Sequence, residues 1–258
     1  MNAEALKRLI SLILQRVLLV GLITLIWSFA ASRAPSYILP GPGKVLTAIV
    51  TLWHGDSFLQ DLCATFKRVC IGFALATLIG APLGLALGSS KLLGRFFAPV
   101  LSVLNSVSSA IWAIFAILWF GISDWAPAFV VFTTSLPLIL TNVWRGAQTV
   151  DRQYIDLARS LRMSRQQILL KIHLPTILPF LVSGAHMAFG FGWRVSLVAE
   201  TLGASNGVGY RLRQAADLVQ SDVVFAWTVC IVALMLLLEA LVLTPLESRM
   251  FRWKIGTP

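Results

Sequence analysis

Six long apolar stretches set what this chain of 258 residues can fold into. Each is close to the length of about 20 residues that a helix needs to cross a bilayer. The stretches cover residues 9–31, 69–88, 97–120, 126–144, 177–201 and 223–246. Because 57% of the residues are hydrophobic and only 12% are charged, the composition excludes a soluble protein. The sequence predicts an all-α membrane protein in which residues 1–258 form one transmembrane domain with six helices.

The positive charges are distributed unevenly between the ends of these stretches. If both termini lie in the cytosol, 14 of the 21 Lys and Arg residues, with Lys91 and Arg95 among them, fall on the cytosolic side. An excess of Lys and Arg in cytosolic loops is the usual arrangement. We therefore predict a multi-pass protein with both termini and the segment 145–175 in the cytosol. The same rule accounts for the net charge of +10 without a nucleic-acid partner.

The segment 145–175 carries a helical pattern of its own, which a simple connection between two spans does not need. Apolar residues recur at the i, i+3, i+4 and i+7 positions of one helix face. This face consists of Tyr154, Leu157, Ala158 and Leu161. The opposite side carries Arg152, Asp156 and Arg159. A short amphipathic helix outside the membrane needs a surface to pack against, so the pattern indicates a cytosolic partner.

Polar and ionisable side chains occur inside several stretches, where contact with lipid is costly. The third stretch contains Asn105, Ser108 and Ser109, and the fifth and sixth contain Arg194 and Glu239. The polar residues of the third stretch are expected to face the interior of the helix bundle. All five residues are candidates for a translocation path. Hydrogen bonds or ion pairs between helices explain them equally well, and the sequence alone leaves both interpretations open.

Three further ionisable residues receive structural interpretations. Glu200 lies close to the predicted external end of the fifth stretch. A charged side chain at that depth reaches water at little cost, so we predict that it snorkels to the surface. His173 and His186 are isolated in the sequence, and we expect structural roles for both.

Small residues recur every four positions along the second stretch. They are Gly72, Ala76, Gly80, Gly84 and Gly88. Such a stripe lets two helix backbones approach closely where lipid provides no hydrophobic drive for association. The pattern predicts a packing seam in a helical bundle, and it leaves open whether that seam moves or is static.

Sequence signatures of catalysis are missing from the chain. It has no glycine-rich nucleotide loop, no His/Glu metal cluster and no Ser-His-Asp set that the spans could bring together. The three cysteines lack metal-ligand spacing, and their odd number argues against a disulfide framework. We predict no catalytic residue, no metal site and no cofactor in this chain.

The segment 145–175 resembles a cytosolic signature of the membrane subunits of bacterial ABC importers. That signature reads Glu-Ala-Ala, three residues, Gly, nine residues and Ile-x-Leu-Pro. Here Asp156-Leu157-Ala158 stands in the first place, Arg162 in the glycine place and Ile172-His173-Leu174-Pro175 in the last, with every spacing kept. LPGPGKV, AILWFGIS and VAETLGASNGVGY are similar to the nitrate/sulfonate/taurine-type permeases. In SVSSAIW, which ends at Trp112, this chain departs from a proline-rich version that is frequent in relatives.

The resemblance implies a type I importer fold in the bacterial inner membrane, with a helix over Tyr154–Leu161 docking to an ATPase. It implies a homodimer of this subunit, two cytosolic ATPase subunits that bind ATP and Mg, and a periplasmic substrate-binding protein. The solute is expected to be small, such as a sulfonate, nitrate or a related organic molecule. The implied coupling residues are Tyr154, Asp156, Leu157, Ala158, Leu161, Arg162, Ile172, Leu174 and Pro175. The candidate path residues are Asn105, Ser108, Ser109, Trp112, Arg194 and Glu239.

Two other classes of membrane protein remain as alternatives. A secondary transporter driven by an ion gradient would usually contain more spans, paired repeats and buried carboxylates at the midplane. Glu239 is a single such carboxylate. A membrane-embedded enzyme would need clustered nucleophiles or metal ligands, and the three scattered His residues do not supply them. Dependence on a separate ATPase subunit distinguishes the importer from both.

Overall fold

A computed structural model describes residues 3–243 and residue 245, and all the regular structure in that range is helical. The helices are α1 (Ala3–Arg33), α2 (Pro42–Trp53), α3 (Phe58–Ser89), α4 (Lys91–Ser106), α5 (Ser109–Phe120), α6 (Trp125–Gln148), α7 (Arg152–Ser160), α8 (Arg165–Ile168), α9 (Leu174–Gly203), α10 (Val208–Asp217) and α11 (Ser221–Leu238). Two π-helical turns, Leu169–His173 and Glu239–Leu243, precede α9 and follow α11. The prediction of an all-α fold is confirmed.

Four helical runs in the described range are long and apolar enough to cross a membrane. They are Phe58–Ser89, Trp125–Gln148, Arg165–Gly203 and Ser221–Leu241. Each contains most of one predicted stretch, namely the second, fourth, fifth or sixth. The first stretch falls within α1, where the apolar helix Val17–Arg33 is shorter than the other spans. The count of six spans stays a prediction.

The prediction of one continuous helix over 97–120 is wrong. Instead, α4 and α5 meet at an angle of 91°. Val107 and Ser108 between them adopt extended backbone conformations, which end α4 and break the helical hydrogen-bond ladder. The Ser108 hydroxyl then accepts a hydrogen bond from the backbone N–H of Ala110 and caps the start of α5. A serine that competes for backbone hydrogen bonds thus turns the chain within an apolar sequence.

The described chain divides into two compact units. One consists of the residues up to Phe58 together with Leu212–Ile231. In this unit Trp27 stacks on Phe225 with 6.0 Å between ring centroids, and the Trp27 indole N–H donates to the Pro40 carbonyl over 3.1 Å. The other unit consists of Leu59–Arg211 and the described residues from Val232 on. It contains all the residues predicted for coupling and for the path, and the remaining description concerns this unit.

Close helix contacts in the second unit follow the stripe of small residues on α3. A Cβ atom at Gly84 would lie 2.6 Å from the Leu140 carbonyl oxygen and 2.9 Å from the Val143 Cβ. Ala76 on the same stripe is fully buried in a core cluster with Ile139 and other residues of α6. The predicted packing seam is therefore confirmed, with α6 as its partner. α6 also packs extensively against α9, which makes it the central helix of this unit.

A buried ion pair joins α3 to the end of α9. Arg68 and Glu200 are 1% and 0% exposed, and the Arg68 Nη1 donates to Glu200 Oε1 over 2.9 Å. Arg68 also donates to Asp124 through Nε at 3.0 Å and Nη2 at 2.5 Å, and to the side chain and carbonyl of Asn206. The hydrogen bonds that Arg68 donates to Asp124 lower the pKa of the Asp124 carboxyl. Asp124 therefore remains a charged partner of Arg68 at neutral pH, and this support is lost only on acidification below the ordinary aspartate range.

The same cluster holds the start of α10. Three successive backbone N–H groups, from Gly207 to Gly209, donate to the side chains of Asp61, Thr65 and Glu200 over 2.8, 2.9 and 2.9 Å. These are the N–H groups that a helix leaves without partners at its N-terminus. Gly207 has a φ of +99°, and a Cβ there would lie 2.7 Å from Arg68 Nη1. Only glycine fits this backbone conformation and this close approach.

The prediction that Glu200 snorkels to the surface is wrong. Its carboxylate is fully buried because it has three kinds of donor: the Arg68 guanidinium, the Thr65 hydroxyl and the Gly209 backbone N–H. A buried charge is tolerated when it is paired and hydrogen-bonded in this way. The segment after α9 binds α3 through Asn206 and Gly207, and the Gly209 N–H binds Glu200 of α9.

Side chains fix the starts of α7 and α8. The Asp151 carboxylate accepts a hydrogen bond from the Gln153 backbone N–H over 2.9 Å at the start of α7. Ser164 and Gln167 form a reciprocal capping box at the start of α8: each side chain accepts from the other residue's backbone N–H. Side-chain hydrogen bonds therefore fix the first turn of each of these two short helices.

The end of α7 has the geometry of a Schellman motif. The Arg162 N–H donates to the Arg159 carbonyl over 2.9 Å, and the Met163 N–H donates to the Ala158 carbonyl over 3.0 Å. Arg162 has a φ of 54°, in the left-handed region where glycine is favoured. This explains why the family signature has glycine at the position that Arg162 occupies here. Arginine adopts the same turn at a conformational cost.

Loss of the buried charge on Glu200 is expected to destabilise the protein. Glu200→Gln keeps the side-chain size but removes one carboxylate partner of Arg68, and we expect the free energy of unfolding to fall by about 3 kcal/mol. The measurement is the Tm of the purified protein in detergent. Lys67→Gln is the control, because the exposed Lys67 ammonium lies 3.7 Å from Asp124 and such surface pairs contribute about 0–1 kcal/mol. Equal Tm values for both variants would contradict the assignment.

Glycine at position 162 is expected to stabilise the end of α7. Arg162→Gly removes a left-handed strain of about 1–2 kcal/mol at the expense of about 0.5–1 kcal/mol of backbone entropy. Amide hydrogen exchange across α7 should therefore become slower. Arg159→Gly, three residues earlier and inside the helix, should make exchange faster by weakening the helix by about 1 kcal/mol. Faster exchange in Arg162→Gly would show that the arginine turn is unstrained.

Candidate coupling surface and translocation cavity

The predicted amphipathic helix exists as α7, and its apolar face is mostly uncovered. Tyr154, Leu157 and Leu161 are 63%, 58% and 68% exposed, whereas Ala158 is buried. Leu161 is the residue at which the helix ends. Three large apolar side chains on one short polar segment form an exposed patch of the kind that marks a protein interaction site. We call Tyr154, Leu157 and Leu161 the α7 patch.

The α7 patch borders a groove of about 620 Å³. Ile172 and Pro175, which the sequence places eleven or more residues further on, line the same groove together with Met163 and Phe180. The predicted coupling residues Tyr154, Leu157, Ala158, Leu161, Ile172 and Pro175 are thus brought together. The lining is mainly apolar, as a docking groove for a protein surface requires.

Three predicted coupling residues do not line this groove. Asp156 lies on the opposite side of α7 and faces Arg159, with 3.5 Å between carboxylate and guanidinium. Both side chains are about 70% exposed, so their attraction is screened by water. Arg162 forms the turn after α7, and Leu174 is 45% exposed at the start of α9. Their expected roles in coupling stay predictions.

The sequence predicts that the cytosolic segment ends at residue 175, but the long helix that follows it already begins at Arg165. α8, the first π-helical turn and α9 form one continuous helix over Arg165–Gly203. Ile172, which lines the groove, and Arg194 therefore lie on the same continuous helix, which we call the rod. At about 1.5 Å per residue, these two positions are separated by roughly 33 Å along the helix.

A second cavity, of about 460 Å³, lies between the α4–α5 bend and the helices α6 and α9. Asn105, Ser109, Arg194 and Glu239 all line it, so four of the six candidate path residues come together. We call this space the central cavity. It offers an amide, a hydroxyl, a guanidinium and a carboxylate along mostly apolar walls, which is typical of sites for small polar solutes.

The remaining candidate path residues have structural positions. Ser108 caps α5, as described above, and does not line the central cavity. Trp112 packs edge-on against Phe115 and Phe129, with about 6.2 Å between ring centroids in each case. The expected interior position holds only partly in this single chain, because Asn105 and Ser108 are exposed and Ser109 is half-buried.

His186 is a functional candidate that the sequence argument missed. Its Nε2 lies 3.8 Å from Glu239 Oε1 at the wall of the central cavity. The separation of 53 positions hides this pairing in the sequence. A usable signal is the spacing of eight positions between His186 and Arg194, slightly more than two turns of α9, which places both residues on one side of that helix.

Comparison with curated proteins finds several membrane transport proteins. The taurine transport system permease protein TauC of Escherichia coli (strain K12) is 28% identical over 238 residues, which are 90% of this chain and 86% of that protein. The putative aliphatic sulfonates transport permease protein SsuC of the same strain is 32% identical over 207 residues, 80% of this chain and 78% of that protein. The nitrate import permease protein NrtB of Synechococcus elongatus is 29% identical over 195 residues, 72% of this chain and 70% of that protein.

Solved structures with the same fold include a chain of the MetNI methionine ABC transporter in an inward-facing conformation. It superposes with a TM-score of 0.67 at 18% identity, over 75% of this chain and 96% of that chain. A chain of an amino acid ABC transporter solved with histidines gives a TM-score of 0.57 at 20% identity, over 76% and 92%. The pattern of one sequence family, described as the inner membrane component of binding-protein-dependent transport systems, matches residues 76–251. The chain belongs to this family of inner-membrane ABC transporter permeases.

Proposed function

We propose that this chain is the permease subunit of an ABC importer for a small anion of the sulfonate or nitrate type. It acts as a homodimer with two cytosolic ATPase subunits and receives the solute from a periplasmic binding protein. The ATPase subunits hold ATP and Mg, and this chain contributes neither a cofactor site nor a catalytic group. Family membership favours this function over an ion-driven transporter or a membrane enzyme.

The observation that carries the proposal is the uncovered α7 patch beside an apolar groove. Burying three large apolar side chains stabilises a complex by a few kcal/mol, at about 1.5–3 kcal/mol for each side chain. The ATPase is the occupant expected of a cytosolic surface on a permease. The exposed charges of Asp156 and Arg159 at the rim tune recognition rather than supply affinity.

The continuous helix over Arg165–Gly203 supports a mechanical route from the groove to the central cavity. Closure of the ATPase subunits displaces α7 and the groove, and a helical rod transmits that displacement without unfolding. Arg194 and His186 lie on this rod at the cavity wall, so the cavity changes shape when the rod moves. This is alternating access, in which ATP binding selects one of two packed arrangements.

The groups at the central cavity support an anionic solute. The Arg194 guanidinium can donate two N–H groups to two oxygens of a sulfonate or a nitrate, and Asn105 and Ser109 supply neutral donors. Glu239 faces His186 across 3.8 Å, which partners the one carboxylate at the wall. The relatives are named for taurine, aliphatic sulfonates and nitrate, which share a sulfonate or nitrate group that these donors suit.

The coupling assignment is tested by a charge placed in the α7 patch. Leu157→Asp should abolish co-purification of the ATPase subunit from native membranes, because a carboxylate would be buried without a partner in an apolar interface. Leu157→Met is the matched control at the same position and should retain the complex. The measurement is affinity purification of the chain with identification of the proteins that accompany it by mass spectrometry.

The outcomes of this experiment separate the hypotheses. An ATPase that accompanies both variants equally would rule out the α7 patch as its docking surface. Recovery of the wild-type chain without any ATPase, under mild detergent, would favour the ion-driven transporter over the importer. Normal membrane insertion of both variants is the condition for either conclusion.

The solute assignment is tested at Arg194 by uptake of taurine, an alkanesulfonate and nitrate. Arg194→Gln removes a charge-assisted hydrogen bond of about 1.5–3 kcal/mol, so uptake of the anionic solute should fall by about tenfold or more. Arg194→Lys keeps the charge and should retain part of the uptake. Unchanged uptake in Arg194→Gln, together with unchanged uptake in Asn105→Leu, would show that the central cavity is not on the path.

A further inference from the structure

A third cavity, of about 450 Å³, lies where α3 ends and α4 begins. Its wall includes Lys91 and Arg95 of α4, Trp144 of α6 and His173 of the π-helical turn before α9. None of the predicted coupling or path residues lines it. We call it the α3–α4 cavity. It lies on the side that the distribution of Lys and Arg predicts to be cytosolic.

The cavity has a strongly one-sided charge. Lys91 and Arg95 are one helical turn apart on α4, so both cations lie on the same face of the helix. No carboxylate lines the cavity, and neither cation forms an ion pair within the described part of the chain. Two like charges on adjacent turns repel each other. The arrangement therefore favours an anion between them.

Two buried polar atoms at the same cavity have no hydrogen-bond partner among the described residues. They are Nε1 of Trp144 and Nδ1 of His173. The Trp144 indole lies against two glycines of the cavity wall: a Cβ at Gly94 would be 2.9 Å from Cζ2, and a Cβ at Gly88 would be 3.3 Å from Cδ1. Nε1 lies between these edges of the ring. Buried polar atoms normally find partners, so the unmatched Trp144 donor beside two cations points to a missing acceptor.

Large apolar side chains flank the cations. Leu92 and Phe96 follow Lys91 and Arg95 directly in α4, and they are 79% and 73% exposed. A free inorganic anion would gain nothing from these neighbours. A phospholipid would place its headgroup against the cations and its acyl chains along Leu92 and Phe96. Basic pockets between membrane helices on the cytosolic side are typical sites for anionic headgroups.

We propose that the α3–α4 cavity binds the phosphate headgroup of an anionic phospholipid. Arg95 presents parallel N–H donors to the phosphate oxygens, and Lys91 contributes a mobile ammonium group. The Trp144 N–H donates to the same group, as does His173 in the tautomer with hydrogen on Nδ1. Ile155 of α7 also lines the cavity, so the bound headgroup contacts the base of the coupling helix. The site shares no residue with the predicted coupling and path residues.

The experiment measures lipid binding by the full-length purified chain with native mass spectrometry. Phosphatidylglycerol is titrated against a background of phosphatidylcholine. With each cation contributing about 1 kcal/mol near a membrane surface, Lys91→Gln/Arg95→Gln should bind phosphatidylglycerol about 30-fold more weakly. The control is Arg145→Gln/Arg165→Gln, which removes two exposed cations, on α6 and α8, that do not line the cavity. The control should stay within about twofold of the wild type, because surface charges away from the site contribute little.

A second variant keeps both cations and tests the cavity itself. Trp144→Phe removes the indole donor and should weaken phosphatidylglycerol binding by about tenfold, the value of one hydrogen bond to a charged group. Inorganic phosphate, added in phosphatidylcholine alone, is the arm that separates a headgroup site from a free-anion site. It should not displace bound phosphatidylglycerol at millimolar concentration.

Three results would overturn the proposal. Equal weakening in the two double variants would mean that general positive charge, not the cavity, attracts the lipid. Unchanged binding in Trp144→Phe would show that the buried indole N–H does not bind the headgroup. Displacement of the lipid by inorganic phosphate would assign the cavity to a free anion instead.

Discussion

The buried Arg68–Glu200 pair holds together the part of the chain that carries the candidate sites. It joins α3 to the end of α9, and through Asp124 and Asn206 it also fastens the start of α6 and the segment before α10. Both charges lie out of water, so each needs every one of its hydrogen bonds. The cluster meets this requirement with side chains and backbone N–H groups from four parts of the chain.

The helix over Arg165–Gly203 connects this anchor to the other features of the unit. Glu200 lies near its end, Arg194 and His186 at the central cavity, and Ile172 at the groove beside the α7 patch. One helix thus carries the buried ion pair near its end, part of the wall of the central cavity in its middle and part of the groove near its start. The small residues on α3 let α6 pack closely against it, and α6 in turn packs extensively against α9. In the proposed function, a displacement at the groove would reach the wall of the central cavity through this one helix.

Periodic features of the sequence predicted much of this arrangement. The apolar stretches appear as helices, the stripe of small residues as the α3–α6 seam, and the amphipathic pattern as α7 with its exposed face. Non-periodic features were predicted poorly. The bend at Val107 and Ser108 depends on two backbone conformations in an apolar run. The prediction that Glu200 reaches water failed because its side-chain partners, Arg68 and Thr65, lie more than 130 positions away in the sequence, beyond the reach of any local pattern.

The sequence by itself determined that this is a helical membrane protein with a short amphipathic helix between two apolar spans, because length and periodicity are local properties that a few turns of sequence contain. The turn at Arg162 was marked by its place in a family signature, although its left-handed conformation was visible only in the structure. Tertiary structure alone decided which polar groups share a cavity. Asn105 lies on α4, His186 and Arg194 lie on α9, and Glu239 follows α11, so only the packing of these three elements brings the groups together. Burial has the same origin: a side chain is charged and stable inside the protein only when distant segments supply its partners.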